Sequence, residues 1–205
     1  MLGFWQAIGF VLLASLLVTF LDSALKGTVS REKYYLTWPL ATIASLSIVI
    51  LISYRIRPGL ITLSQWTPMP ADVAVGLAFG GVDYGLTRLI ERFQPGPLTI
   101  ANGHLEFLSV LCIVFLGPVL EEILCRAFVL RSLLEHTRPL FAVLITAALV
   151  ASAHQSFLFA LPGQLGLSAV YVIRKKSMSA TISYHMFANA LGYLTLFHSQ
   201  LGTIR

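Results

Sequence analysis

The stretch whose reading decides the fold runs from Phe115 to Arg131: FLGPVLEEILCRAFVLR. It lies inside a long apolar run, Leu105 to Leu134, of the kind that crosses a membrane as a helix, yet Glu121, Glu122 and Arg126 stand in its middle. An ionised side chain at the centre of a membrane helix costs roughly 2.5–3.5 kcal/mol. Three would cost roughly 8–10 kcal/mol if nothing answered them. Such groups face protein, water or substrate, and an intramembrane charge is by default a candidate functional group.

Helical geometry separates their roles. At about 100° per residue, Glu122 and Arg126 lie one turn apart and about 40° around the axis. With the acid nearer the N-terminus, this is the favourable order for an ion pair. Glu121 points about 100° away from Glu122 and about 140° away from Arg126. Glu122 therefore has a local partner, whereas Glu121 is free to face something else and is the expected working carboxylate.

Composition agrees with a membrane setting. Of 205 residues, 57% are hydrophobic and 11% charged, and the mean hydropathy is +0.81. A soluble domain averages about 25% charged residues. At roughly 20 residues per crossing, this length holds six to eight helices. The expected fold is an all-α polytopic membrane bundle of about seven transmembrane helices, one integral-membrane domain over 1–205. The net charge of +5 and pI near 9.5 fit basic loops that set topology and meet anionic lipid, not nucleic acid. Cys112 and Cys125 are thirteen residues apart in one run, roughly 20 Å along a helix and too far to pair.

Working outward, Phe4–Leu21 reads as a retained span, because no basic region precedes it. A polar loop carrying Lys26, Arg31, Glu32 and Lys33 leads to a second span, Tyr35–Tyr54. Prolines and glycine at 58–70 mark an interfacial loop before the third, Ala71–Phe93. Asp83 is the internal charge of that third span and is either a cavity-lining acid or a hydrogen-bonded structural one. The charged helix, ending near Thr137, is the fourth, with His104 as a loop residue at its mouth. Pro139–Phe157, Leu158–Ile173 and Met178–Gln200 are the fifth to seventh, with Arg174, Lys175 and Lys176 capping the turn between the last two.

Two later spans carry polar groups at membrane depth. The fifth reads VASAHQSF and holds His154; the seventh reads ISYHMFANA and sets His185 and Asn189 one turn apart on one face. A lone membrane histidine is more often a helix–helix hydrogen bond than a catalyst. Three spans that each carry such groups shift that balance. Measured from the common side near Thr137, Pro139 and Ser177, Glu121 lies at roughly 24 Å, His154 at 22 Å, Asn189 at 18 Å and His185 at 12 Å. One cavity can collect them.

Glu121-Glu122-x-x-x-Arg126, His154, and His185-x-x-x-Asn189 together resemble the CAAX-protease and bacteriocin-processing (CPBP, or Abi) intramembrane endopeptidases, over a motif-bearing core at roughly 105–195. Val150 stands where that family usually shows Phe. The resemblance implies a peptidase at the cell membrane, CAAX prenyl endopeptidase-like, acting on a peptide or lipidated protein. It implies that Glu121 and His154 activate water, that His185 and Asn189 stabilise the oxyanion, and that Glu122 with Arg126 orients the site. A metalloprotease reading is also open, with Zn held by Glu121, His154 and His185; direct water activation without metal is the preferred one. Two other classes remain: a non-catalytic adaptor or bacteriocin-immunity protein on the same scaffold, and a small transporter relaying protons through Glu121, His154 and Asp83.

Overall fold

The computed structural model describes residues 31–56, 66–93, 110–154 and 156–202, together with ten single positions between 9 and 28. Among them all regular structure is helical. The first expected span and His104 lie outside the described residues, apart from single helical positions in the former. Six helices order the rest: α1 (Arg31–Ile56), α2 (Pro70–Phe93), α3 (Leu111–Leu134), α4 (Pro139–Ser152), α5 (Phe157–Ile173) and α6 (Met178–Gly202). Arg31, Glu32 and Lys33, expected in a loop, form the first turn of α1, as good helix formers can.

By length and composition, Pro70–Arg92 alone among the described residues suffices to cross a membrane, while Leu40–Ile52, Pro139–Ser152 and Phe157–Ile173 are shorter apolar helices. The helical bundle is as expected; seven full crossings do not emerge from it. The reason is physical: α4 and α5 have 14 and 17 residues, roughly 21 and 26 Å, against about 30 Å of hydrocarbon.

The charged helix α3 is continuous but not uniform. Over Leu111–Leu116 and Ile123–Leu130 it widens to i→i+5 bonding, with Gly117 N–H on Cys112 O and Arg131 N–H on Arg126 O. Short insertions of this wind are frequent at functional sites. Between the wide stretches, Gly117–Glu122 is ordinary α-helix and presents both glutamates.

Close backbone approaches, an ion pair and an apolar core fix α2, α5 and α6 around α3. A Cβ on Gly80 would stand 2.6 Å from Tyr184 O, and one on Gly76 would meet Ala180 O. Glycine thus lets α2 and α6 run side by side and parallel, backbone against backbone. α2 and α5 are antiparallel: Arg174 Nε donates to Asp72 Oδ1 at 2.8 Å, and eleven residues on, Asp83 stands against Gly163. At the same end a core of Ala127, Leu130, Leu133, Ala142, Tyr171 and Met178 joins α3 to α4, α5 and α6. Cys112 and Cys125 are both buried and unpaired.

Candidate active site

Glu122 is fully buried, as is Arg126 one turn later. Arg126 Nε lies 3.3 Å from Glu122 Oε2, an ion pair without hydrogen-bond alignment. Gln164 of α5 completes the guanidinium's setting, its Oε1 accepting from Arg126 Nη2 at 2.7 Å. A buried charge persists only when paired and hydrogen-bonded, and α5 supplies the second half of that requirement. Gln164 went unread in the sequence. The signal was present, a buried-type polar group in an apolar helix, but it stood outside any motif.

From α6, His185 reaches the carboxylates. Its Nδ1 lies 3.0 Å from Glu122 Oε1, and a carboxylate can only accept, so Nδ1 carries the proton. The other ring nitrogen, Nε2, faces Glu121 Oε2 at 3.9 Å. Too long for a direct hydrogen bond, that gap suits a water placed about 2.8 Å from each atom. The Glu121 side chain is 31% exposed and Glu122 is 0%. An ordered chain results: Gln164, Arg126, Glu122, His185, Glu121.

Asn189, one turn beyond His185, donates Nδ2 to Ile113 O at 3.0 Å. The cause lies in α3. With the wide wind, Ile113 O is due an N–H from residue 118, and Pro118 has none. Asn189 satisfies that orphaned carbonyl. A carboxamide nitrogen has two hydrogens, so one remains.

His154 is not inside a helix. α4 ends at Ser152, and His154 is an exposed residue of the following turn. Its Nδ1 bonds Val150 O at 2.8 Å while Ser152 Oγ bonds Leu149 O at 2.7 Å. The two side chains bond carbonyls of the last turn of α4, where Val150 O also accepts from Ala153 N–H at 3.1 Å. The sequence reading ran the helix on to Phe157 because the residues around the turn are mostly small or apolar. No hydrogen bond or ion pair joins His154 to Glu121 or His185 among the described residues. The Zn set Glu121, His154 and His185 is accordingly not assembled: no group of three His, Cys, Asp or Glu among the described residues is placed to hold a metal. These residues do not fit the metal, and no step is routed through one.

Asp83, left between two roles in the sequence, has features of both. It stands beside the Tyr184 hydroxyl, which donates to Gly163 O at 3.5 Å, and it lines a cavity of about 270 Å³ together with Asn189.

Residues 103–191 match the family described as type II CAAX prenyl endopeptidase Rce1-like. This agrees with the resemblance carried by the motifs and covers nearly the same segment. No curated protein and no solved structure matches the chain.

Proposed function

We propose, on the premise that residues 103–191 belong to the type II CAAX prenyl endopeptidase Rce1-like family, that this chain is an intramembrane endopeptidase. It hydrolyses a peptide bond near the surface of the cell membrane, in which it sits as a single multi-pass domain of about seven crossings. Its substrate is a peptide or lipidated protein presented at the bilayer. The segment 105–195 is the catalytic core.

The observation that carries this reading is the chain from Gln164 to Glu121. Each member orients the next, and the last is the only carboxylate of the pair open to solvent. Glu121 and His185 Nε2 hold the water. As its oxygen attacks the scissile carbonyl carbon, Glu121 takes one proton, and the carbonyl oxygen becomes an oxyanion. The second amide hydrogen of Asn189 is the donor for that oxyanion. Collapse breaks the C–N bond, and the proton on Glu121 passes to the leaving amine. Glu122 and Arg126 fix the imidazole. The resemblance gives His154 a part in activating water; the geometry favours His185 for that part.

The test is hydrolysis of a reporter peptide by purified protein in detergent. Glu121→Gln should lose about 10²–10⁴-fold in rate, the usual worth of a positioned base, with an unchanged melting profile. Wild-type rates in that variant would remove Glu121 from the chemistry. His185→Ala should lose more activity than His154→Ala; the reverse order would restore the pairing of Glu121 with His154.

A further inference from the structure

The cavity between α2 and α6 carries charge that nothing in its wall balances. Its lining includes Asp83, Arg88 and Glu91 from α2 and Asn189 and Tyr193 from α6. Arg88 is held by Glu91, Nη1 to Oε2 at 2.7 Å. That leaves Asp83, which forms no ion pair with Lys or Arg among the described residues. Its polar neighbour is the neutral Tyr184 hydroxyl, which donates to Gly163 O at 3.5 Å, and Gly163 leaves room for the carboxylate where a Cβ would stand 2.9 Å from Oδ2. His185 lies within electrostatic range, but it also faces Glu121 and Glu122, with Arg126 paired to Glu122. Even a protonated imidazole would leave the joined cavity and site with a net negative charge.

A second feature points to a ligand. His185, Asn189 and Tyr193 follow at four-residue steps, so they form one stripe along α6. The Tyr193 hydroxyl is buried and has no hydrogen-bond partner among the described residues. Buried hydroxyls in native folds are nearly always satisfied. The stripe thus continues past the proposed oxyanion donor into a cavity with a free hydroxyl on one wall and an unneutralised carboxylate on the other.

We infer that this cavity is a substrate subsite selecting a cationic side chain, Lys or Arg, close to the scissile bond. Asp83 is its counter-charge, and Tyr193 hydrogen-bonds the substrate backbone. The inference rests on the peptidase reading for its register, since Asn189 belongs to both the cavity and the site. It concerns α2, which lies outside the segment matched to the family. Low-dielectric walls focus the field of Asp83, which attracts a cationic side chain and repels an anionic one.

The test uses dye-labelled Ala/Leu peptides with one central lysine, norleucine or glutamate, and the full chain in a neutral detergent, so that anionic lipid makes no contribution. Binding is read by anisotropy on Glu121→Gln, and turnover on the wild type. The lysine peptide should bind about tenfold more tightly than norleucine, with glutamate weakest. In Asp83→Asn added to Glu121→Gln, the lysine-to-norleucine ratio should fall to about one, while Asp83→Glu keeps it and Asp83→Lys turns the preference towards glutamate. Equal binding of the lysine and norleucine peptides, or a ratio indifferent to Asp83→Asn, overturns the inference. Should the Asp83 variants not fold, the three peptides on the parent protein still decide. Charge-selective binding without turnover would sink the peptidase reading alone; turnover without charge selection would sink this subsite alone.

Discussion

Two adjacent glutamates meet opposite surroundings because a helix turns about 100° between them. Glu122 is enclosed with Arg126, His185 and, through the guanidinium, Gln164, whereas Glu121 is partly open. Different failures should follow when each is neutralised. Glu122→Gln leaves Arg126 buried without an anion and should cost about 3–5 kcal/mol of stability. Gln164→Leu removes one acceptor and should cost about 1–3 kcal/mol. Both should slow hydrolysis indirectly, by loosening His185. Thermal unfolding in detergent beside the peptide assay separates these from Glu121→Gln, which should be inactive but fully stable. A Glu122→Gln protein as stable and active as the parent would show that the buried pair organises nothing. The ion pair was legible because it is local: four residues on one helix determine it. Gln164 was not, since its partner lies 38 residues away and no local rule joins them.

Elements explain the remaining mismatches between sequence and structure. Depth counted at about 1.5 Å per residue placed His185 well short of the glutamates, yet the two meet at hydrogen-bond distance. Over Ile123–Leu130 the helix takes more residues per turn and so rises less per residue. That closes only part of the gap; a count along the axis also leaves out the reach of the Glu and His side chains, which meet between the helices. The same wind gives Asn189 its structural task, because it directs Ile113 O towards a residue that has no N–H. Pro118 was visible in the sequence; the i→i+5 step that gives it meaning was not. This makes a double-mutant cycle informative. Asn189→Ala should cost about 1 kcal/mol by orphaning the carbonyl. In a Pro118→Ala background a new N–H is available to Ile113 O, so the same change should cost less, with a coupling of about 0.5–1.5 kcal/mol. Strict additivity of the two in thermal unfolding would mean that Ile113 O does not need Asn189. Activity should not be rescued in the same way, since the second hydrogen of the Asn189 amide has no substitute.

At the scale of the whole molecule, unequal helix lengths matter most. α2 and α6 have 24 and 25 residues and α4 has 14, so α4 is shorter by roughly 15 Å. All three begin on one side: Asp72 near the start of α2 meets Arg174 at the end of α5, and α4 and α6 start beside the core that joins them to α3. On the multi-pass reading, the turn after α4 therefore lies within the membrane's depth. Irregular backbone is tolerated there only inside protein or beside water. Yet Ser152, Ala153 and His154 are exposed, so water must reach them from the far side, or the bilayer must thin around the short hairpin of α4 and α5. In either case the turn is wet, and the cavity beside Asn189 is the other polar hollow near the site. Single cysteines in proteoliposomes test this, and Cys112 and Cys125 need not be removed because buried thiols in apolar surroundings are inert. Ala153→Cys and Ala188→Cys, the latter on the cavity wall, should react with small water-soluble thiol reagents. Val150→Cys should not, since Val150 is buried against Leu46, Val49, Leu124 and Cys125. Protection of Ala153→Cys, with Ala188→Cys still reactive, would put the turn in lipid and deny His154 any contact with the hydrolytic water. Protection of both would leave Glu121 without a route to water, and the peptidase mechanism could not operate in this conformation.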